Sequence, residues 1–334
     1  MTISKHIKDI KTINKVQYII SEKCNMNCIY CNVNKSSDQY LSIDDFITFK
    51  EEVLDKLEYY QLDIFGGEPL LFAEIVLEIV KLLQNDNRCN IIMIPTNGSI
   101  YNEVVKEILS YDKVYCSISN DGINQIKNRS KLKIYYKEFN VNRVHLMIGG
   151  SDLSKDYNII IKQHNYFKKL NISCDMTLLR DQNSFSIEQA KLFLENYKEF
   201  VDTLDFNHIL LPKIVTHYLF RFLDNVIYGY INPGCQLGEK YVSFSNNHLI
   251  SCTRFSRTDD EDKLEYINDY LKECDTCSIR EFCGQGCRYE IIQNDGVIEE
   301  LCTIYKGIYK ILQSKITTNL IKEYKEYKRK LDDK

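Results

Sequence analysis

At 334 residues the chain is long enough for one large domain or a large one with a small one, and 44% hydrophobic residues provide for a substantial core, which excludes an extended disordered protein. A net charge of -4 gives no overall bias toward nucleic acid, so the lysine-rich stretch YKEYKRK near the C-terminus reads as a solvated helix face. The N-terminus MTISKHIKDIKTINK does not resemble a cleavable signal, and no apolar run approaches the roughly 18 residues that span a bilayer, so the expected location is the cytoplasm, with neither nucleic acid nor membrane as a partner.

In chain order, VQYIIS (16–21) is rich in strand formers, and SIDDFITFKEEVLDKLEYY carries apolar residues at helical spacing behind Ser42, an N-cap. The alternation continues through QLDIFGG, FAEIVLEIVKLLQND, CNIIMIPTNG, YNEVVKEILSY, KVYCSISNDG, VNRVHLMIGG, YNIIIKQHNYFKKLN, ISCDMTLLR and SIEQAKLFLENYKEF. Six strands, each followed by a helix, predict an α/β fold with a parallel sheet, open or closed as a barrel, over residues 1–200. Residues 201–232 read as a helical linker, 233–302 as a turn-rich cysteine domain, and 303–334 as a C-terminal helix.

In such folds the chemistry gathers at the carboxyl ends of the strands. Every unusual short motif of the first half falls there: Cys24, Cys28 and Cys31 after the first strand, GGEP (66–69) after the second, TNG (96–98) after the third and SNDG (119–122) after the fourth. They are expected to form one site. Thirteen cysteines in a reducing compartment point to metal or redox chemistry over structural disulfides. Three thiolates crowded into one short loop suit zinc or an iron-sulfur cluster, but a closed zinc site brings paired cysteines from two knuckles and a fourth ligand. Three protein ligands on a four-iron cluster leave one iron to bind a substrate or cofactor.

The spacing C-x3-C-x2-C, with aromatic Tyr30 before the third cysteine, resembles the signature of the radical S-adenosylmethionine (radical SAM) superfamily. The resemblance implies a partial (β/α)6 TIM-like barrel and a 4Fe-4S cluster held by Cys24, Cys28 and Cys31, the catalytic cysteines. It also implies S-adenosylmethionine on the fourth iron, cleaved by one electron to a 5'-deoxyadenosyl radical. Gly66, Gly67 and Glu68 match the family's GGE motif for the methionine moiety, with Glu68 nearest the ammonium. Asn97 joins the expected cofactor contacts, Ser119 corresponds to a polar residue near the ribose, Arg129 resembles an arginine that follows the Asp-Gly pair, and Tyr30 flanks the adenine.

The later cysteines run Cys235, Cys252, Cys274, Cys277, Cys283, Cys287 and Cys302, with the core CDTCSIREFCGQGC as C-x2-C-x5-C-x3-C. This resembles the SPASM extension of peptide-modifying radical SAM enzymes. By that resemblance Cys274, Cys277, Cys283 and Cys302 hold a distal auxiliary 4Fe-4S cluster, and Cys235, Cys252 and Cys287 hold a second, proximal one. VIYGYINPG offers that second cluster no fourth cysteine, so either its iron is open or a nonlocal residue or water closes it. Asn247 stands where the pattern has glycine, and Thr253 where sulfatase-maturing relatives carry an aspartate, which counts against that activity. Cys89, Cys116 and Cys174 read as small core residues. Asp152, Arg180 and Arg254 are candidate substrate contacts by position alone.

The expected function is oxidative modification of a ribosomally made peptide, such as a thioether or carbon-carbon crosslink, using S-adenosylmethionine and three 4Fe-4S clusters. The alternatives are radical oxidation or epimerisation of a small molecule or sugar, and a nonenzymatic electron carrier. Only about fifteen residues precede the first strand, so a peptide leader would be bound by a separate protein or be absent. A flavodoxin- or ferredoxin-type reductant is the other expected partner.

Overall fold

The computed structural model describes residues 1–31, 33, 35, 37–139, 143–149, 152, 158–178, 185–258 and 260–332. Among them the strands are Thr2–Ile3 (β1), Lys15–Ser21 (β2), Tyr60–Gly66 (β3), Cys89–Thr96 (β4), Val114–Ser119 (β5), Arg143–Ile148 (β6), Ser173–Leu178 (β7), Tyr241–Ser245 (β8) and His248–Ile250 (β9). From β2 to β7 each strand is followed by helix: Ile43–Glu52, Ala73–Leu83, Glu103–Ile108, Gln125–Asn128, Ile159–Lys169 and Ile187–Asp202. This is the α/β class read from the alternation, a run of six βα repeats with a helical C-terminal region. Ser42 caps the first of these helices through a capping box, its Oγ accepting from the Asp45 N–H at 3.2 Å while Asp45 accepts from the Ser42 N–H at 2.8 Å.

The chain divides into two units, Met1–Val144 with Gln236–Glu265, and His145–Cys235 with Tyr266–Lys334. The boundaries at 200 and 233 therefore do not mark units, because the cysteine-rich segment contributes to both. In the first unit the sheet runs β1-β9-β8-β2-β3-β4-β5. The β2–β3, β3–β4 and β4–β5 pairs are parallel, and β8 adds to the other edge of β2, also in parallel. Opposite side chains in a ladder pack against one another, and here Tyr18 faces Phe244, their rings stacked 5.5 Å apart. Phe46 and Phe49 of the first helix close on the same tyrosine at 5.1 Å each. This buried aromatic group fixes the register of β2, and so the point where the strand releases the cysteine loop. The β8–β9 hairpin turns through Asn246 and Asn247 at φ +49° and +61°. Asparagine is the best substitute for glycine in that left-handed region, which accounts for Asn247 at a position where the sequence pattern led us to expect glycine.

In the second unit, helix Glu299–Gln313 packs against both Ile187–Asp202 and Lys213–Tyr228. Residues 303–334, expected as one helix, fall in two, Glu299–Gln313 and Thr318–Asp332. Phe282, fully buried in the middle of the cysteine core, packs against Phe222 and Tyr309 with ring centres 6.4 and 5.3 Å away. That apolar anchor ties the short helix Arg280–Cys283 to the two long ones and places its cysteine.

Candidate functional site

The site in the first unit starts where β2 ends. The turn after β3 docks directly on the cysteine loop: the Gly67 N–H donates to the Ser21 carbonyl and the Glu68 N–H to the Lys23 carbonyl, both at 2.9 Å. A Cβ on Gly66 would stand 2.0 Å from the Ser21 oxygen, and one on Gly67 would stand 2.3 Å from the oxygens of both Glu22 and Lys23. The two glycines are thus required by the neighbouring backbone, a reason the sequence did not disclose. Glu68 is 1% exposed, and its carboxylate ties its own turn to the end of β4. Oε1 accepts from the Thr96 hydroxyl at 2.7 Å and the Leu70 N–H at 3.1 Å, and Oε2 accepts from the Asn97 N–H at 2.7 Å. Burial pushes its pKa up against those hydrogen bonds. Each carboxylate oxygen takes about two donors, so Oε2 has capacity for one more.

Asn97 reaches the first cysteine. Its Nδ2 donates to Asn25 Oδ1 at 2.8 Å and lies 4.0 Å from the Cys24 sulfur, which also receives the Met26 N–H at 3.4 Å. The thiols of Cys24, Cys28 and Cys31 lie within electrostatic reach of one another. Burial pushes Cys24 and Cys28 up, and Arg129 pulls Cys28 back down. Tyr30 donates to both oxygens of Asp121 at 2.9 Å, and Arg129 Nη1 donates to the Tyr30 oxygen at 3.3 Å while standing 3.8 Å from Asp121. Asp121 is wholly buried and the arginine side chain is 7% exposed, so the pair is mutually dependent. Around it Arg129 Nε, Asn120 Nδ2 and Gln125 Nε2 are buried donors with no partner among the described residues. Buried donors are normally satisfied, so this concentration suits a ligand rich in acceptors. Ser119 is half-exposed at the end of β5.

In the second unit, Cys274, Cys277, Cys283 and Cys302 are within electrostatic reach of one another. Cys274, Cys283, Cys287 and Cys302 line a small, partly open hollow whose other walls include Ile291, Ile298 and Leu301. Burial pushes the Cys302 thiol up to about 11, helped by its cysteine neighbours. No three His, Cys, Asp or Glu side chains among the described residues converge as ligands of a single ion. An iron-sulfur cluster instead takes one thiolate at each of several irons, so its ligands surround a volume rather than share a point. Grouped, half-buried thiols around a small apolar hollow fit that requirement.

Residues 18–183 match the Radical SAM superfamily. The chain belongs to the radical SAM superfamily. It is 28% identical over 361 residues to the radical SAM cyclopropyl synthase TigE of Paramaledivibacter caminithermalis, a match covering 88% of this chain and 72% of that protein. The fold is shared with the structure of anSMEcpe bound to AdoMet and the Cp18Cys peptide, at a TM-score of 0.67 and 18% identity over 94% of this chain and 99% of that one. It is shared more loosely with Streptococcus suis SuiB bound to its precursor peptide SuiA, at a TM-score of 0.55 and 14% identity over 85% of this chain and 74% of that one.

A radical SAM enzyme binds S-adenosylmethionine and a 4Fe-4S cluster, and the first-unit site has the donor set for both: three grouped thiols, a carboxylate with spare capacity and unpaired buried donors beside the loop. Three members of that radical SAM site were missed in the sequence. Asp121 and Thr96 lie inside SNDG and TNG but carry no individual role in the sequence, and Asn25 has no signal beyond its place in the cysteine loop. Of the substrate candidates, Asp152 is buried and accepts the Gly149 N–H at 3.0 Å. Arg254 sits half-buried in the 3-10 helix Thr253–Arg257 with Cys252 as its N-cap, and Arg180 lies outside the described residues. No helix among the described residues is long and apolar enough to cross a membrane.

Proposed function

We propose that this radical SAM enzyme oxidatively closes a covalent bond, carbon-carbon or thioether, within a ribosomally synthesised peptide in the cytoplasm. The observation that carries the reading is the second group of cysteines, seven in all, four of them within electrostatic reach of one another beside a small apolar cavity. An enzyme that only made a radical would have no use for further electron-accepting centres. The name of the TigE relative, a cyclopropyl synthase, favours carbon-carbon closure, and the bound peptides of anSMEcpe and SuiB favour a peptide substrate.

When bound, the reduced cluster supplies the electron that splits S-adenosylmethionine to methionine and a 5'-deoxyadenosyl radical. The residues of the chain bind and orient. Cys24, Cys28 and Cys31 would hold the cluster, and Glu68 Oε2 would accept from the cofactor ammonium, a charge-assisted contact. Asn97 and Ser119 would meet its polar groups, while Tyr30, Gly66 and Gly67 shape the walls. Arg129 Nε, Asn120 Nδ2 and Gln125 Nε2 offer donors to carboxylate or ribose oxygens. Cys274, Cys277, Cys283 and Cys302 would hold one auxiliary cluster and Cys235, Cys252 and Cys287 another, giving three in all. A flavodoxin- or ferredoxin-type reductant would feed the first cluster, and a separate protein would present the peptide if it carries a leader.

The test is anaerobic turnover of the iron-reconstituted enzyme with S-adenosylmethionine and short peptides encoded beside its gene. A peptide product lighter by two hydrogens, formed with 5'-deoxyadenosine, supports the proposal. Cofactor cleavage stimulated by a small molecule, with every peptide unchanged, would remove it.

A further inference from the structure

The stretch Cys283–Cys287 has an uncommon backbone. Gly284, Gln285 and Gly286 follow one another at φ +70°, +64° and +76°. The glycines enter that left-handed region freely, but Gln285 has a Cβ that opposes it, and its side chain is too long for the local bond that helps asparagine there. What Gln285 does is bind one guanidinium from both ends. Arg288 Nη1 donates to its carbonyl at 3.3 Å, and Arg288 Nη2 to its Oε1 at 3.0 Å. The Gln285 N–H is directed at the Cys283 sulfur.

Arg288 opens the helix Arg288–Gln293 and is half-buried. Its charge lies within electrostatic reach of the thiols of Cys235, Cys274, Cys283 and Cys287, all in the second unit. Among the described residues its hydrogen bonds go to neutral Gln285, and no carboxylate is ion-paired with it. Guanidinium stays protonated even when partly buried. A fixed cation without a carboxylate partner needs a counter-charge, and the cysteines are what surrounds it. Cys274 and Cys283 belong to one proposed ligand set, Cys235 and Cys287 to the other.

We infer that Arg288, held by Gln285, is the fixed counter-charge of the auxiliary clusters and raises their reduction potentials. The inference rests on the reading of the C-terminal cysteines as cluster ligands. A thiolate-bound cluster is anionic and gains a further negative charge on reduction, so a cation fixed beside it stabilises the reduced form more than the oxidised one. Net charge and hydrogen bonding are the levers a protein has on cluster potential, and a half-buried charge is screened less than an exposed one. The unfavourable backbone at Gln285 is then explained, since backbone strain persists where the surrounding structure uses it. Arg288 is a positioning residue in this scheme and touches no substrate.

The experiment is an EPR-monitored redox titration of the full chain with all clusters loaded, comparing Arg288→Gln, Arg288→Lys and Gln285→Gly with the parent. Expected are auxiliary midpoints shifted to lower potential in Arg288→Gln, shifted less in Gln285→Gly and nearly restored in Arg288→Lys, with the Cys24–Cys31 cluster unmoved. Unshifted auxiliary midpoints in Arg288→Gln at full iron content overturn the inference. If Arg288→Gln loses its auxiliary iron, Gln285→Gly decides, because it keeps the arginine and the backbone carbonyl; an unshifted midpoint there overturns it equally. A parent protein that binds iron only at the N-terminal cysteines removes the ligand reading itself, and the iron count tells that failure from the other.

Discussion

Gly67→Ala separates two explanations of the GGE motif. In the structure the new methyl would stand 2.3 Å from the carbonyl oxygens of Glu22 and Lys23, well inside contact distance, and both obstacles are backbone. The turn must move away from the cysteine loop, which breaks the bonds from the Gly67 and Glu68 N–H groups to Ser21 and Lys23, each 2.9 Å long. Two backbone hydrogen bonds at about 1 kcal/mol each, with overpacking strain of about 1–3 kcal/mol, sum to a loss of about 3–5 kcal/mol. That is a large part of the roughly 5–15 kcal/mol by which a domain is stable. The assay is urea unfolding of the protein freed of iron and S-adenosylmethionine, followed by circular dichroism, with hydrogen exchange at residues 67–70 as a local probe. A marked drop in the midpoint and lost protection are expected without any ligand present. An iron-free Gly67→Ala protein as stable as its parent, defective only in binding S-adenosylmethionine, would refute the packing argument and leave cofactor approach as the reason for the glycine.

Three further outcomes are expected. Arg129→Gln leaves the buried Asp121 carboxylate without its cation and should cost about 3–5 kcal/mol, whereas Tyr30→Phe removes a hydroxyl bonded to that carboxylate and should cost about 1–3 kcal/mol; calorimetry of the iron-free proteins gives the order. Cys28→Ala should lose about four of about twelve irons and all cofactor cleavage while keeping the auxiliary iron, which colorimetric iron analysis and 5'-deoxyadenosine chromatography measure. His208 Nδ1 donates to Glu323 Oε1 at 3.0 Å, and that contact raises the histidine pKa above its ordinary 6.5. The folded state therefore holds the proton more tightly, so the pair contributes fully below pH 6.5 and its contribution disappears as pH rises through the raised value. An NMR titration should find His208 above 6.5 and Glu323→Gln should return it to the ordinary value; an unshifted His208 in the parent would contradict the contact.

Much of the site was legible because its signals are local. The spacing of Cys24, Cys28 and Cys31 and the placement of GGEP, TNG and SNDG at successive strand ends follow from the period of the βα repeat, which sequence displays directly. The Ser42 cap was readable for the same reason. What was hidden depends on which backbone passes which. The glycines looked like room for a ligand, yet the space they leave is filled by the carbonyls of residues 21–23. Asp121 has no individual signal within SNDG, and only the approach of Tyr30 from a distant loop and of Arg129 from the following helix end makes it a buried anion. The boundaries of the cysteine domain were also hidden, since β8 joins the sheet by a backbone ladder that leaves no mark on composition.

The central claim is that the cluster on Cys24, Cys28 and Cys31 keeps one iron free for S-adenosylmethionine. It is tested most directly by EPR of the reduced, reconstituted protein in which Cys235, Cys252, Cys274, Cys277, Cys283, Cys287 and Cys302 are all alanine, before and after adding S-adenosylmethionine. The account predicts a 4Fe-4S signal that changes on addition and a sample that goes on to form 5'-deoxyadenosine. A signal indifferent to S-adenosylmethionine, or zinc in place of iron at those three cysteines, would contradict it.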